Sequence, residues 1–407
     1  MNSNKISGKL GDIAEIIMGQ SPPGDTCNGL NVGLPLLNGP TEFGSNHPLP
    51  TQFTTSPSKI AEVGDLLFCV RGSTTGRMNW AEQKYAIGRG IGALRHVHGK
   101  EYQPYLRGVI EYKLPELLTR ATGSTFPNVS RDQLTNLDIP NHPLPVQKKI
   151  AAILSSLDDK IELNTRMNNV LEEIARALFH RWFVAFEFPD AEGKPYKSAG
   201  GKMVESEMGS VPEGWKVQPV IDFCDKIETG GTPKRNVKTY WEEGTIPWFK
   251  TGELIDETLL SSAENITPLG LKESNCKLWK PKTILIALYA APTVGHMGIL
   301  EITGTSNQAC AALMTKKEYG YLYLYHSLYL ARDNLQSISV GSAQQNLNVG
   351  IIKNYKLIAP TSSLTRKFSD IVEKYYSMIV VNQKEKKMLR EIRDTLLPKL
   401  MNGEIEV

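Results

Sequence analysis

Two long stretches, residues 145–186 and 364–407, constrain this chain more than any other feature, because each reads as one helix and the second repeats the first. In the first, Ile150, Ile153, Leu157, Leu171, Ile174 and Leu178 form a heptad-like ladder, Leu154 and Ile161 widen the stripe, and no Gly or Pro follows Pro145. At about 1.5 Å per residue the helix is a rod of roughly 50 Å. A shift of 218 positions lays Gly123 on Gly341, Asn128 on Asn346, Lys149 on Lys367, Ile153 on Ile371, Asn164 on Asn382, Leu171 on Leu389 and Leu178 on Leu396 without a gap. Upstream the match weakens but the order of features persists: Gly19-Gln20-Ser21-Pro22 answers Gly230-Gly231-Thr232-Pro233, and Gly64 to Phe68 answers Lys282 to Ile286. The chain is therefore a tandem duplication of a globular unit followed by a long helix.

The ladders predict how the rods meet. One heptad position holds Ile150, Leu157, Asn164, Leu171 and Leu178, and its counterpart holds Phe368, Tyr375, Asn382, Leu389 and Leu396; Ile153, Ile174, Ile371 and Ile392 complete the expected pairing set. Asn164 and Asn382 are the middle rungs, so antiparallel pairing in full overlap brings them level. A buried amide pair costs stability relative to leucine but penalises slipped registers, which leave it unpaired. Leu154, Ile161, Val372 and Ile379 fall beside this seam and offer apolar surface to another subunit's helices. Antiparallel pairing also relates the two globular units by an approximate two-fold axis, the symmetry of a DNA duplex.

Composition narrows the class. With 407 residues and 41% hydrophobic content there is material for two or three domains with real cores, and no apolar run is long enough to span a bilayer. The first residues carry no apolar stretch behind their charges, so no secretory leader is expected and the protein reads as cytoplasmic. Cys27, Cys69, Cys224, Cys276 and Cys310 lack any C-x-x-C spacing, which points to scattered buried thiols and away from zinc or a disulfide framework. A net charge of +3 means that any phosphate-facing surface is local.

The expected organisation is a globular unit over 1–144, a helix over 145–186, a linker over 187–212, a second unit over 213–363 and a helix over 364–407. Short strands around Leu34–Asn38, Asp65–Val70 and Ile91–Val97, with one helical stretch at Tyr102–Thr119, make each unit α+β. The loop Val70 to Arg77 follows a buried strand and carries Arg71, Ser73, Thr74, Thr75 and Arg77 among glycines. Such a donor-rich loop suits phosphate oxygens or guanine edges, and equally an ordinary solvated turn. Gly88-Arg89-Gly90-Ile91-Gly92 is a poor dinucleotide fingerprint, since its third glycine falls early and Asn307 to Ala311 in the second copy lacks glycine. In that copy Ile246 to Glu253 replaces Leu34 to Gly39, and Ala290 to Gly295 replaces the arginine loop. The tyrosine-rich run Tyr319 to Leu335 packs a core with its hydroxyls at the edge. Gly123-Ser124 with Asn128, and Gly341-Ser342 with Asn346, either shape a loop that both copies need or grip a phosphate in both, and the turn-closing habit of Asn favours the structural use. Pro189-Asp190 with Glu192 and Lys194 superficially suggests a nuclease centre, but its carboxylates crowd one polar loop. The framework is held while the loops differ, as expected of two copies of a reader set to read two different things.

The order of unit, helix, linker, unit, helix resembles the specificity subunit of type I restriction-modification enzymes. So do the strings Arg71-Gly-Ser-Thr-Thr-Gly-Arg, Tyr85-Ala-Ile-Gly-Arg-Gly, Gly123-Ser-Thr-Phe-Pro-Asn, Pro145 to Ile161 and Met208-Gly-Ser-Val-Pro-Glu-Gly-Trp. The first copy departs from the pattern in lacking the Pro-Glu-Gly-Trp opening of the second. The resemblance implies two target recognition domains, each reading half of a bipartite asymmetric site in double-stranded DNA. It implies helices that set the spacer and dock two modification subunits, and restriction subunits that join the assembly. S-adenosylmethionine, ATP and Mg would reside on those partners, and this chain would be a non-catalytic adaptor without cofactor or metal. The DNA contacts it implies are Arg71, Ser73, Thr74, Arg77 and Arg89 in the first unit, and Lys250, Thr251, Thr293, Asn307 and Gln308 in the second. A self-contained DNA enzyme fits poorly, because amino-methylation, Walker and H-E-x-x-H motifs are all missing. A duplicated DNA-binding regulator or adaptor without a methyltransferase is the alternative.

Overall fold

The structure is a computed structural model that describes residues 7–121, 127–289, 292–338 and 346–407. The Gly123-Ser124 and Gly341-Ser342 segments, Ala290 and Ala291, and the first six residues lie outside the described residues. The chain divides into two units, Met1–Asn164 with Glu385–Val407, and Thr165–Lys384.

In the first unit the opening run splits into a one-turn helix, Leu10–Ile13, and the strand Ala14–Met18. That strand edges an antiparallel sheet ordered Ala14–Met18, Ile91–His96, Leu66–Cys69, Met78–Trp80. Successive side chains of a strand face opposite ways, and here both faces are covered. Leu66 and Phe68 pack with Tyr105, Leu106 and Val109 of the helix Gln103–Arg120. Leu67 and Cys69 pack with Leu37, Tyr85 and Ile87 of a second sheet. Burial on both faces is why these strands read as unbroken apolar runs. In the second sheet Leu34–Leu37 lies parallel to Tyr85–Ile87, with Gln52–Thr54 on its other edge.

The second unit repeats this plan. Its main sheet runs Cys224–Thr229, Cys310–Thr315, Ile284–Ala287, Met297–Leu300, Glu257–Leu259, and Ile246–Phe249 pairs parallel with Thr305–Ser306 beside it. Ile284 and Ile286 face the helix Tyr321–Leu330, while Leu285 and Ala287 face Phe249 and Trp279. The crowded tyrosines of that helix are core: the buried Tyr323 donates its hydroxyl to the Ile358 carbonyl, and Tyr325 donates to the Asp256 carbonyl at 2.8 Å. Each aromatic body thus fills apolar space while its hydroxyl finds an acceptor. Residues 187–212, expected as a linker, are built rather than loose. Phe188 stacks on Tyr196 and Trp215, Asp190 closes a turn onto the Glu192 and Lys194 amides, and Met203–Ser206 pairs with Gly209–Pro212.

The long helices are Leu144–Phe179, prolonged by a π turn over His180–Val184, and Ser362–Met401. They pair antiparallel in each unit. In the first unit Arg393 donates to Asp158 at 2.9 Å, Lys160 lies 3.3 Å from Glu385, and the Asn164 amide donates to Glu385 at 2.8 Å. In the second the Asn382 amide donates to Asn168 at 2.8 Å, and Phe368 meets the rings of Phe179 and Trp182. The register expected above is therefore corrected: the amide pair is Asn168–Asn382, one helical turn from the anticipated Asn164–Asn382, and Asn164 takes a carboxylate instead.

The phase of the seam is corrected too. The positions alternate by four and three as Ile150, Leu154, Leu157, Ile161, Asn164, Asn168, Leu171 and Ala175, and on the other helix as Phe368, Val372, Tyr375, Ile379, Asn382, Lys386, Leu389 and Arg393. Of these Ile150, Leu154, Ile161, Asn164, Asn168, Ala175, Phe368, Val372, Ile379 and Asn382 are buried, and the other six half-buried, as are Leu178 and Leu396. Leu154, Ile161, Val372 and Ile379, expected beside the seam, are in it. Ile153 and Ile371 are only half-buried, and Ile174 and Ile392 are exposed.

The second unit also buries an ionisable ring. His326 lies among Phe179, Phe368, Tyr325 and Tyr376, with Arg176 as the nearby charge, and burial followed by that charge pulls its pKa down to about 3. Because the folded value lies below the unfolded value of about 6.5, its contribution is complete above that pH and is lost as the pH falls toward 3. At pH 5 the loss is about 2 kcal/mol. His326→Leu should remove this part of the acid sensitivity, read as the wild-type minus variant difference in urea unfolding at pH 7 and pH 5. An unchanged difference would contradict the assignment.

Candidate nucleic-acid interface

Four loop ends meet at one end of the two sheets in the first unit: Gly19-Gln20, Asn38-Gly39, Val70-Arg71 and Gly88-Arg89-Gly90. Backbone hydrogen bonds tie them together. Gly19 N donates to Ile91 O, Gln20 N to Ile87 O, Gly88 N to Leu37 O, Val70 N to Gly90 O, and Val129 N to Val70 O, all at 2.8–2.9 Å. The packing leaves no room for side chains at the turn: a Cβ on Gly88 would lie 2.6 Å from Asn38 Oδ1, and one on Gly90 2.4 Å from the Asn38 carbonyl. Only the side chains between the glycines can project, and Gln20, Asn38, Arg71, Ser73 and Arg89 are all exposed.

The second unit builds the same frame from different residues. Gly230 N donates to Cys310 O, Gly231 N to Ser306 O, Asn307 N to Phe249 O, Leu288 N to Ala309 O, and Leu347 N to Leu288 O, at 2.7–3.3 Å. Position by position, Gly231 stands for Gln20, Lys250 for Asn38, Tyr289 for Arg71 and Gln308 for Arg89. Here the exposed Gln308 is held, its Oε1 accepting the Thr232 hydroxyl at 2.6 Å and its carbonyl the Tyr289 hydroxyl at 3.1 Å. It borders an open polar cleft of about 790 Å³ walled by Thr229–Thr232 and Ser274–Lys277. The cleft floor is fixed, since the Gly231 carbonyl accepts both Trp248 Nε1 at 2.9 Å and Cys276 Sγ at 3.1 Å.

The candidate residues separate into projecting and structural groups. Arg71, Ser73 and Arg89 project at the first frame, and Gln308 at the second. Thr74 sits half-buried behind Cys69. Arg77, expected to face DNA, has its guanidinium turned onto the carbonyls of Pro40, Phe43 and Gly44 at 3.0–3.5 Å, and it closes that loop. Thr251 is buried, and Asn307 shapes its own turn by accepting from Ala309 N and Cys310 Sγ. Thr293 is half-exposed in the loop after Ile284–Ala287, where its carbonyl accepts His296 N. Lys250 Nζ pairs with Glu264 at 2.5 Å. The same carboxylate takes Arg235, whose guanidinium lies over Trp241 at 3.8 Å and Trp248 at 4.6 Å; that guanidinium first, and the Lys250 ammonium next, hold the Glu264 carboxyl below its usual range. Gln20, Asn38, Thr232, Tyr289 and Arg235 were not anticipated, although the answering Gly-Gln-Ser-Pro and Gly-Gly-Thr-Pro strings marked two of these loops.

The helices present a second surface. Leu163, Met388 and Ile392 are exposed in the first unit, and Met167, Val170, Ile174, Met378 and Val381 in the second. Under the internal repeat Leu163 answers Val381, Val170 answers Met388 and Ile174 answers Ile392, so three exposed apolar positions recur on the two helices. Among the described residues there is no group of three or more His, Cys, Asp or Glu that could hold a metal, and no helix is long and apolar enough to cross a membrane.

Comparison with known proteins agrees with this architecture. The chain is 30% identical over 301 residues to the MjaIX specificity subunit of a type I restriction enzyme from Methanocaldococcus jannaschii, a match that covers 70% of this chain and 64% of the relative. It is 27% identical over 342 residues to the HindI specificity subunit from Haemophilus influenzae, covering 71% and 74%. The crystal structure of a type I restriction-modification S subunit from M. genitalium superposes with a TM-score of 0.60 over 98% of each chain at 16% identity, a likeness of fold. Residues 2–173 and 212–391 match the type I restriction modification DNA specificity domain, and the chain belongs to that family.

Proposed function

We propose that this chain is the sequence-specific DNA-recognition subunit of a type I restriction-modification complex. Each unit reads one half of a bipartite, asymmetric site with the loop frame at its sheet end, and the paired helices set the spacing. The single observation that carries this reading is the frame itself: the same backbone hydrogen bonds recur in both units while the projecting side chains change, which is what two readers of different sequences require. The recurring exposed apolar positions supply two equivalent docking faces for two modification subunits, which bring the S-adenosylmethionine chemistry; restriction subunits with ATP-driven translocation join that assembly. Exposed apolar side chains recurring along a helix gain from cover by a partner.

The test compares two arginines of one loop in the complex with the modification subunits. Arg71→Ala should weaken binding of the cognate duplex by about 1–3 kcal/mol while the melting temperature stays within error. Arg77→Ala should lower the melting temperature instead, because three carbonyls lose a charged donor, at about 1–3 kcal/mol. Arg71→Ala with undiminished affinity would count against the loop frame as the DNA-reading surface.

A further inference from the structure

We propose that residues 89 and 308 are the position at which the two half-sites are told apart, Arg89 reading a guanine and Gln308 an adenine. The inference rests on the DNA-recognition reading and adds to it the base that each unit takes at one equivalent place.

Both residues occupy the middle of the same three-residue turn in the same frame. Gly88 N donates to Leu37 O as Asn307 N donates to Phe249 O, and Ile91 N donates to Gly88 O as Cys310 N donates to Asn307 O. Val70 N donates to Gly90 O as Leu288 N donates to Ala309 O. The turn is immobilised in each unit by different means, glycines packed on Asn38 in the first and the Asn307 side chain in the second. What differs is the side chain that leaves it.

Arg89 is exposed, as is Arg71 in the loop whose Val70 N donates to Gly90 O, and among the described residues neither arginine has an acidic partner. Its fork of donors matches a base edge with two acceptors, the N7 and O6 of guanine. Gln308 is prepared differently. The Thr232 hydroxyl occupies one lone pair of Oε1 and restrains the amide, while the second lone pair and both N–H groups have no partner among the described residues. One acceptor beside one donor complements adenine, which offers the N6 amino group and N7. A guanine there would set its O6 against Gln308 Oε1, two acceptors face to face. The polar cleft beside Gln308 admits the base edge without burying an unpaired group.

The experiment uses the full chain in complex with its modification subunits and selects bound duplexes from a random pool. Arg89→Gln should replace one guanine of the first half-site by adenine, and Gln308→Arg one adenine of the second by guanine, each by roughly 5- to 150-fold in relative affinity. Thr232→Val should leave adenine preferred but shrink the preference, because the amide then turns freely. Both half-sites unchanged in both exchange variants would overturn the assignment, as would an equal loss across all sequences, which marks phosphate contacts. If the unmodified complex selects no sequence, the underlying DNA-recognition reading fails instead, and the two failures are told apart by that control.

Discussion

Cut after Phe188, the first half of the chain should form a homodimer, and replacing three aromatic residues should tighten it more than tenfold. The seam from Ile150 to Ala175 loses its mate in such a fragment, and a second copy can supply one because the two helices repeat without a gap. At the centre the fit is good: Asn168 in one copy meets Asn164 of the other, twice, in place of Asn168 with Asn382. The helix ends are less interchangeable. In the whole chain Leu397, Leu400 and Met401 close the first unit's core against Leu154 and Gly108. A Cβ on Gly108 would lie 2.8 Å from Met401 and 3.2 Å from Leu397, so that corner has no spare volume. In the fragment dimer those places fall to Phe179, Trp182 and Phe183, which overpack it at about 1–3 kcal/mol. Asp158 also loses Arg393 and faces Ala175. The fragment carrying F179L, W182L and F183M should therefore dimerise more tightly by light scattering and dilution. With modification subunits present it should select an interrupted palindrome made of the first half-site and its inverted copy. Monomers in both cases, or no gain from the triple replacement, would show that the helices do not exchange.

Seven residues inserted after Asn164, matched by seven before Glu385, should abolish the parent's preferred spacing. A heptad preserves the alternation of four and three along each helix, so pairing survives while each rod grows by about 10.5 Å. That is about three base pairs of duplex at 3.4 Å each. The parent's half-sites are expected with centres about one turn, near 10 base pairs, apart, so that both readers address one side of the duplex. The lengthened chain should then bind the parent site at least tenfold more weakly and select a longer spacer, or none. The same insertion in one helix alone should unfold part of the pair, because Asp158–Arg393 and Asn168–Asn382 can no longer form together. Unchanged spacing and affinity in the doubly lengthened chain would show that the helices do not set the distance.

The duplication and both helices were legible because a repeat without gaps leaves little freedom. The phase of the seam was not, since adjacent residues compete for it: Ile153 with Leu154, Ile174 with Ala175, Ile371 with Val372 and Ile392 with Arg393. Apolarity alone favours Ile174 and Ile392. The structure uses Ala175, small enough for close approach, and Arg393, whose charge is satisfied by Asp158, and it leaves those two isoleucines exposed. At the interface the donor-rich loop was visible as composition. The role of Arg77 was hidden because its carbonyl partners, Pro40 to Gly44, lie far upstream, and that of Asn307 because a turn made by a side chain looks like a polar contact in sequence. The shared frame is a pattern of backbone hydrogen bonds between distant loops, which side-chain identities do not announce.

The claim that two units read two halves of one site is tested most directly by sequencing the methylated bases in DNA treated with the complex of this chain and its modification subunits. One motif of two different short half-sites separated by a fixed run of unspecified bases is expected, with a methylated base in each half. A single contiguous motif, or two half-sites at variable separation, would contradict it.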